Sequence, residues 1–169
     1  MLEIMLGRAK KALTGTAGRS IRLLALAGGR GSVGVFEFEL LDSTGRNLCR
    51  TAGFVPATSY SPGATGAAGD MVTYPPSKTI DGISSGDWRA TCYMACKADG
   101  SSWLQYDFPQ DIVIDKWRMM AEGTWIPTPT GMKIQLLTAQ GWKDIIAGTS
   151  DKNDWTTGWR MFSNLSVAP

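Results

Sequence analysis

Side chains able to move protons, hold metals or attack carbonyls are few in this chain, and their types narrow the chemistry at once. There is no histidine, so the usual general base at neutral pH, imidazole zinc ligation and every Ser-His or Cys-His nucleophile are excluded. Cys49, Cys92 and Cys96 are an odd set with CxxxC rather than CxxC spacing. They make neither a disulfide framework nor a closed zinc site, and read as free, buried or half-buried thiols of a protein made in a reducing cytoplasm. The carboxylate pairs Asp107/Asp111 and Asp151/Asp154 are the residue type that acid–base hydrolysis needs, yet both sit at strand ends and in polar turns, where aspartate is ordinary. A small carboxylate-dependent glycoside hydrolase is therefore the weakest reading, and the chain is read as non-catalytic. The stretch AGGRGSVG, residues 27–34, has the composition of a phosphate loop but lacks the Gly-Lys-Ser/Thr ending and runs into a strand instead of a helix, so it reads as a hairpin turn.

Tryptophan is the remaining functional currency. Trp103 and Trp117 fall inside strand-like runs and read as core or sheet-face residues, whereas Trp88, Trp125, Trp142, Trp155 and Trp159 lie near turn signals, where a ring can face a cleft. Sugars stack their C–H faces on such rings while polar neighbours bond the hydroxyls. Trp88 with the adjacent Arg89, and Trp125, are the candidate carbohydrate contacts.

The elements that must position these residues fall into an arm and a body. Residues 1–19 form the arm: Leu2, Met5, Leu6, Ala9 and Leu13 recur at helical spacing, with Arg8, Lys10 and Lys11 turned away and Gly15 and Gly18 to end the run. So short a helix needs a surface to lie on, either the chain's own body or a neighbouring subunit, with a membrane third because the apolar face is narrow and has no aromatic anchor. Leu2, Met5, Leu6 and Leu13 are accordingly the expected assembly contacts, with an extended arm as the other form. The apolar residues are interrupted by Glu3, Gly7 and Arg8, so no signal-peptide core can be drawn, and no run approaches the ~20 apolar residues of a membrane span. No membrane insertion is expected. With 17 Lys and Arg against 15 Asp and Glu, nucleic acid is not the expected partner either.

From residue 20 to 169 the texture is β. Runs at residues 21–27, 33–41, 103–108, 112–120 and 132–137 have strand length and end on Gly, Pro, Asn or Asp. Residues 51–79, rich in Gly, Ala, Ser, Thr and Pro, read as a long surface excursion. The length suits one domain, and the pattern predicts an all-β antiparallel sandwich or jelly roll.

Several of these segments occur in a recognisable order. IRLLAL (21–26) followed by VFEFEL (35–40), Thr79-Ile80-Asp81-Gly82 with Asp87-Trp88, SWLQYDF (102–108), and Ile134-Gln135-Leu136 with Gly141-Trp142 together resemble the galactose-binding-like domains of the discoidin or coagulation factor type C kind, in the strand order frequent in bacteriophage structural proteins. The resemblance covers most of residues 21–162. It implies an eight-stranded antiparallel jelly roll and binding instead of catalysis.

In that family the Asp-Gly loop often holds a structural calcium, and Asp81 and Glu37 are the matching oxygen donors here. The family's second acidic residue falls on Ile83 and its threonine on Gly86. The alternative is that Asp81 and Glu37 are satisfied by backbone N–H groups and nearby Arg or Lys. The family's sugar sites commonly use a histidine, which this chain lacks. The expectation is thus a non-catalytic virion protein of the tail, baseplate or fibre, or a capsid decoration, made in the host cytoplasm. Its partners would be other virion proteins or copies of itself, with a host surface glycan as a further ligand; the alternative is a carbohydrate-binding module.

Overall fold

The computed structural model describes residues 18–25, 32–61, 65–66, 72, 75–83, 94–97, 103–120, 132–154 and 159–167. In chain order the strands are β1 (Gly18–Ala25), β2 (Ser32–Val35), β3 (Glu37–Leu41), β4 (Ala57–Tyr60), β5 (Thr65–Gly66), β6 (Met94–Lys97), β7 (Trp103–Ile112), β8 (Lys116–Met120), β9 (Met132–Thr138), β10 (Gly141–Asp154) and β11 (Trp159–Val167). Their pairings are antiparallel. Eight make one sheet in the order β3-β8-β11-β10-β9-β1-β7-β4, and β2, β6 and β5 make a small second one. Among the described residues no helix is long and apolar enough to cross a membrane.

Alternation decides which face of each strand goes inside. In β1, Ile21 and Leu23 are buried while Arg22 and Leu24 are half-exposed; in β7, Leu104, Tyr106 and Phe108 are buried between half-buried Trp103, Gln105 and Asp107; in β9, Ile134 and Leu136 alternate with Lys133, Gln135 and Leu137. β3 and β7 stand first and seventh in the sheet order, yet Phe38 of β3 stacks on Tyr106 of β7 with ring centroids 4.8 Å apart. The sheet therefore folds over so that its two ends face each other across one core, the arrangement of a β-sandwich and the all-β antiparallel class expected from the sequence. The Thr79 hydroxyl donates to the Pro76 carbonyl (2.7 Å) and so accepts from the buried Tyr106 phenol at 2.9 Å.

Two differences from the sequence reading have simple causes. The stretch 51–79 is not only surface: it supplies edge strand β4 and runs into the 3-10 turn Pro76–Ile80, which buries Pro76, Thr79 and Ile80 beside β3. A second 3-10 turn, Leu48–Arg50, buries Leu48 and Cys49 beside it. Single apolar residues spaced by Ser, Thr and Pro have no period, so these contributions leave no pattern. β10, in contrast, is fourteen residues long although its second half, Thr149 to Asp154, is polar. It is held by pairing with β9 and β11, and its first turn is closed by Gly141 at φ +95, a conformation that favours glycine.

Candidate functional site

Two outward regions of the large sheet gather functional side chains. The first is the outer side of β3. Phe38 and Leu40 enter the core, so Glu37, Glu39 and Leu41 point the other way, where the 48–50 and 76–80 turns cover them; all five residues of the strand are buried. Glu37 is 0% exposed. Its Oε2 accepts from the Gly82 N–H (3.0 Å), while Oε1 is buried without a hydrogen-bond partner among the described residues. Burial pushes its carboxyl up to about 8; the Gly82 N–H opposes this, Asp81 and Glu39 reinforce it, and Arg50 opposes it again. At neutral pH Glu37 is therefore protonated. Glu39 accepts from Arg118, whose guanidinium also lies 4.5 Å over the Trp159 ring. A shallow depression of about 400 Å³ opens beside them, lined in part by Glu39, Asn47, Arg50 and Arg118.

The expected pairing of Glu37 with the Asp81-Gly82 loop is thus present in space, which allows the calcium reading to be tested on the donors. An orphaned buried oxygen is what a cation would use. Its surroundings do not complete the set: Asp81 Oδ1 accepts from the Ile83 N–H (2.8 Å), Gly82 offers a donor, and the Arg50 guanidinium lies where a Cβ on Gly82 would be. Among the described residues no three His, Cys, Asp or Glu side chains gather as a metal group. Calcium takes six to eight oxygens, and these residues do not fit it. Gly82 itself is at φ +84, the left-handed region that lets the loop turn its N–H onto Glu37.

The second region is the outer face of β7, β1, β9 and β10. The register sets Gln105, Arg22, Gln135 and Asp144 opposite one another across these four strands. Arg22 Nε donates to Gln105 Oε1 (2.7 Å), Gln105 Nε2 donates to both oxygens of Asp107 (2.8 and 3.0 Å), and the Ser20 hydroxyl donates to Asp107 (2.6 Å). On the other flank Gln135 Nε2 donates to Asp144 (2.8 Å), which also pairs with Lys133 at 2.7 Å. Above this row the Arg22 guanidinium is clamped between two rings, 4.3 Å from the centroid of Trp103 and 4.2 Å from that of Trp142. Burial pulls the Arg22 pKa down, and Asp107 offsets it. What the face offers is two tryptophans and an arginine held in fixed positions among amide and carboxylate groups.

Of the residues singled out from sequence, Trp88, Arg89, Trp125 and the arm residues Leu2, Met5, Leu6 and Leu13 lie outside the described residues. Asp107 and Asp111, read as a possible acid–base pair, are held by different partners, Asp111 by Arg19 at 3.1 Å. Cys49 is buried, and that burial pushes its thiol up to about 12, so it is inert at neutral pH. In the sequence Trp142 stands beside a turn signal and Arg22 within an apolar run, so neither reads as a site residue. The signal that finds them is strand alternation, since Arg22, Trp103 and Gln105 occupy the outward positions of two runs whose inward positions are Ile21, Leu23 and Leu104. Compared with known proteins, the chain matches no family model, no curated protein and no solved structure; the likeness to galactose-binding-like domains rests on the residues quoted above.

Proposed function

We propose that this protein is a non-catalytic structural protein of a bacteriophage virion, belonging to the tail, baseplate or fibre or decorating the capsid, and that its sandwich works by binding other virion proteins or copies of itself. The virion source and the jelly-roll connectivity rest on the galactose-binding-like resemblance. The observation that carries the binding role is the Trp103–Arg22–Trp142 stack on the outer face of the large sheet. Trp and Arg dominate the energetics of protein interfaces, and side chains already fixed by a hydrogen-bonded row lose little freedom when a partner docks. The test is incorporation into particles, measured by mass spectrometry of purified virions: wild type is expected in fixed stoichiometry and Trp103→Ala/Trp142→Ala is expected to be depleted. Its absence from every particle fraction would overturn the reading.

A second reading, recognition of a host surface glycan, is favoured by the same rings lying next to Gln105, Gln135 and Asp144, whose amides and carboxylate suit sugar hydroxyls. A glycan array decides between them. Binding by wild type that is lost in Trp142→Ala supports the lectin role, and no binding to any glycan leaves assembly alone.

A further inference from the structure

Next to the β3 region, between the 42–48 corner and the end of β7, lies a groove of about 300 Å³. Its floor is apolar, built from Leu48, Phe54 and Ile114, and Val113 stands open to solvent at its edge, 53% exposed. Its charged rim is acidic. Asp42 and Arg46 also line it, but they satisfy each other at 2.8 Å, and the Arg46 guanidinium lies 4.9 Å over the Phe54 ring, so this pair belongs to the wall. Asp111 and Asp115 remain, and Asp111 is held by Arg19 through an exposed contact.

Arg19 indicates what comes next. β1 begins at Gly18, which pairs with Ile112, so the chain preceding it leaves the sandwich at the rim of this groove. Residues 1–17 lie outside the described residues, but their sequence is suited to the groove: Leu2, Met5, Leu6 and Leu13 are spaced for one apolar stripe, and Arg8, Lys10 and Lys11 outnumber Glu3. An apolar floor with an acidic rim complements an apolar stripe with basic flanks.

We infer that this groove is the receptor for the chain's own N-terminal arm, with apolar residues of 1–13 covering Phe54 and Val113 and the basic residues meeting Asp111 and Asp115. Residues 14–17 span up to about 14 Å when extended, so the same contacts serve an arm lying on its own groove or on that of a second copy. The inference deepens the assembly reading above and rests on it for the arm's purpose, though not for the fit.

The test uses the full chain, with unlabelled and nitrogen-15-labelled protein mixed and joined by a zero-length carbodiimide cross-linker, then mapped by peptide mass spectrometry. Lys10 or Lys11 is expected to be joined to Asp111 or Asp115, and the isotope pattern tells whether the link lies within a chain or between chains; either supports the inference. Leu2→Ser/Leu6→Ser and, separately, Val113→Ser keep every reactive group but remove apolar contact, and each is expected to lower that cross-link, by roughly tenfold for the double change. Links from Lys10 and Lys11 only to other carboxylates, or yields unchanged by these substitutions, would overturn it. Sedimentation of the same samples separates this from the assembly reading. Arm-dependent multimers without the groove cross-link sink the inference alone, whereas the cross-link within a monomer that enters particles normally without its arm keeps the docking and removes the arm from assembly.

Discussion

The outer side of β3 and the outer face of β1 both carry charged side chains on the same sheet, and the fold treats them in opposite ways. Beneath the two 3-10 turns, Glu37 is sealed off with one N–H bond and one oxygen that has no partner among the described residues. On β1, Arg22 keeps part of its surface in water and is held by a glutamine and two tryptophan rings. A buried carboxyl with a single donor lowers its cost by keeping its proton, whereas an arginine at the surface keeps its charge and gains contacts. The roles proposed above follow this difference: the β3 corner is a structural feature whose stability depends on pH, and the β1 face, whose side chains are already held in place, is the surface proposed to bind.

The core that joins the two regions is the place where damage should be largest. Phe38→Ala removes the ring that meets Tyr106 across the fold and should cost about 3–5 kcal/mol in urea unfolding, loosening both regions together. Next comes the pH response of the β3 corner. The folded protein holds the Glu37 proton up to about 8, while the unfolded chain releases it near 4.3. The stability this group contributes is therefore fully present below the unfolded value and is lost as pH rises through about 8, a decline on the order of 5 kcal/mol. Glu37→Gln, which mimics the protonated acid, should match wild type near pH 4 and be the more stable of the two near pH 9 by equilibrium unfolding. Identical pH profiles would remove the distinction between the two regions.

Gly82→Ala should cost about 1–2 kcal/mol for a left-handed alanine, read as a lowered Tm, because the Arg50 guanidinium that it meets is the movable end of a side chain. The smallest stability effect belongs to the β1 face. Arg22→Ala should cost about 1–2 kcal/mol or less in folding, the worth of half-exposed cation–π and hydrogen-bond contacts, while altering binding far more.

The parts of the fold legible in the sequence are those in which one strand decides its own faces. Ile21 and Leu23 in β1, WLQYDF in β7 and Ile134 with Leu136 in β9 are buried on the side their alternation indicates. Glu37 and Glu39 lie between apolar residues in the same way and so suggest an exposed face, but the 48–50 and 76–80 turns close over them, and a cover supplied from elsewhere in the chain leaves no mark on the strand it hides. The nearness of Glu37 to Asp81 was legible only through the family resemblance, and the fate of the Glu37 charge only from its burial. For Trp142 the turn signal at Gly141 masked the strand that follows, and its partner Arg22 comes from a strand that reaches it only through β9.

The most direct test of the division between a structural corner and a binding face is one paired measurement on Trp103→Ala/Trp142→Ala: its melting temperature and its incorporation into virions alongside wild type. The account predicts a Tm within a few degrees of wild type and incorporation lower by roughly tenfold or more. A variant that melts normally and enters particles as efficiently as wild type would contradict it.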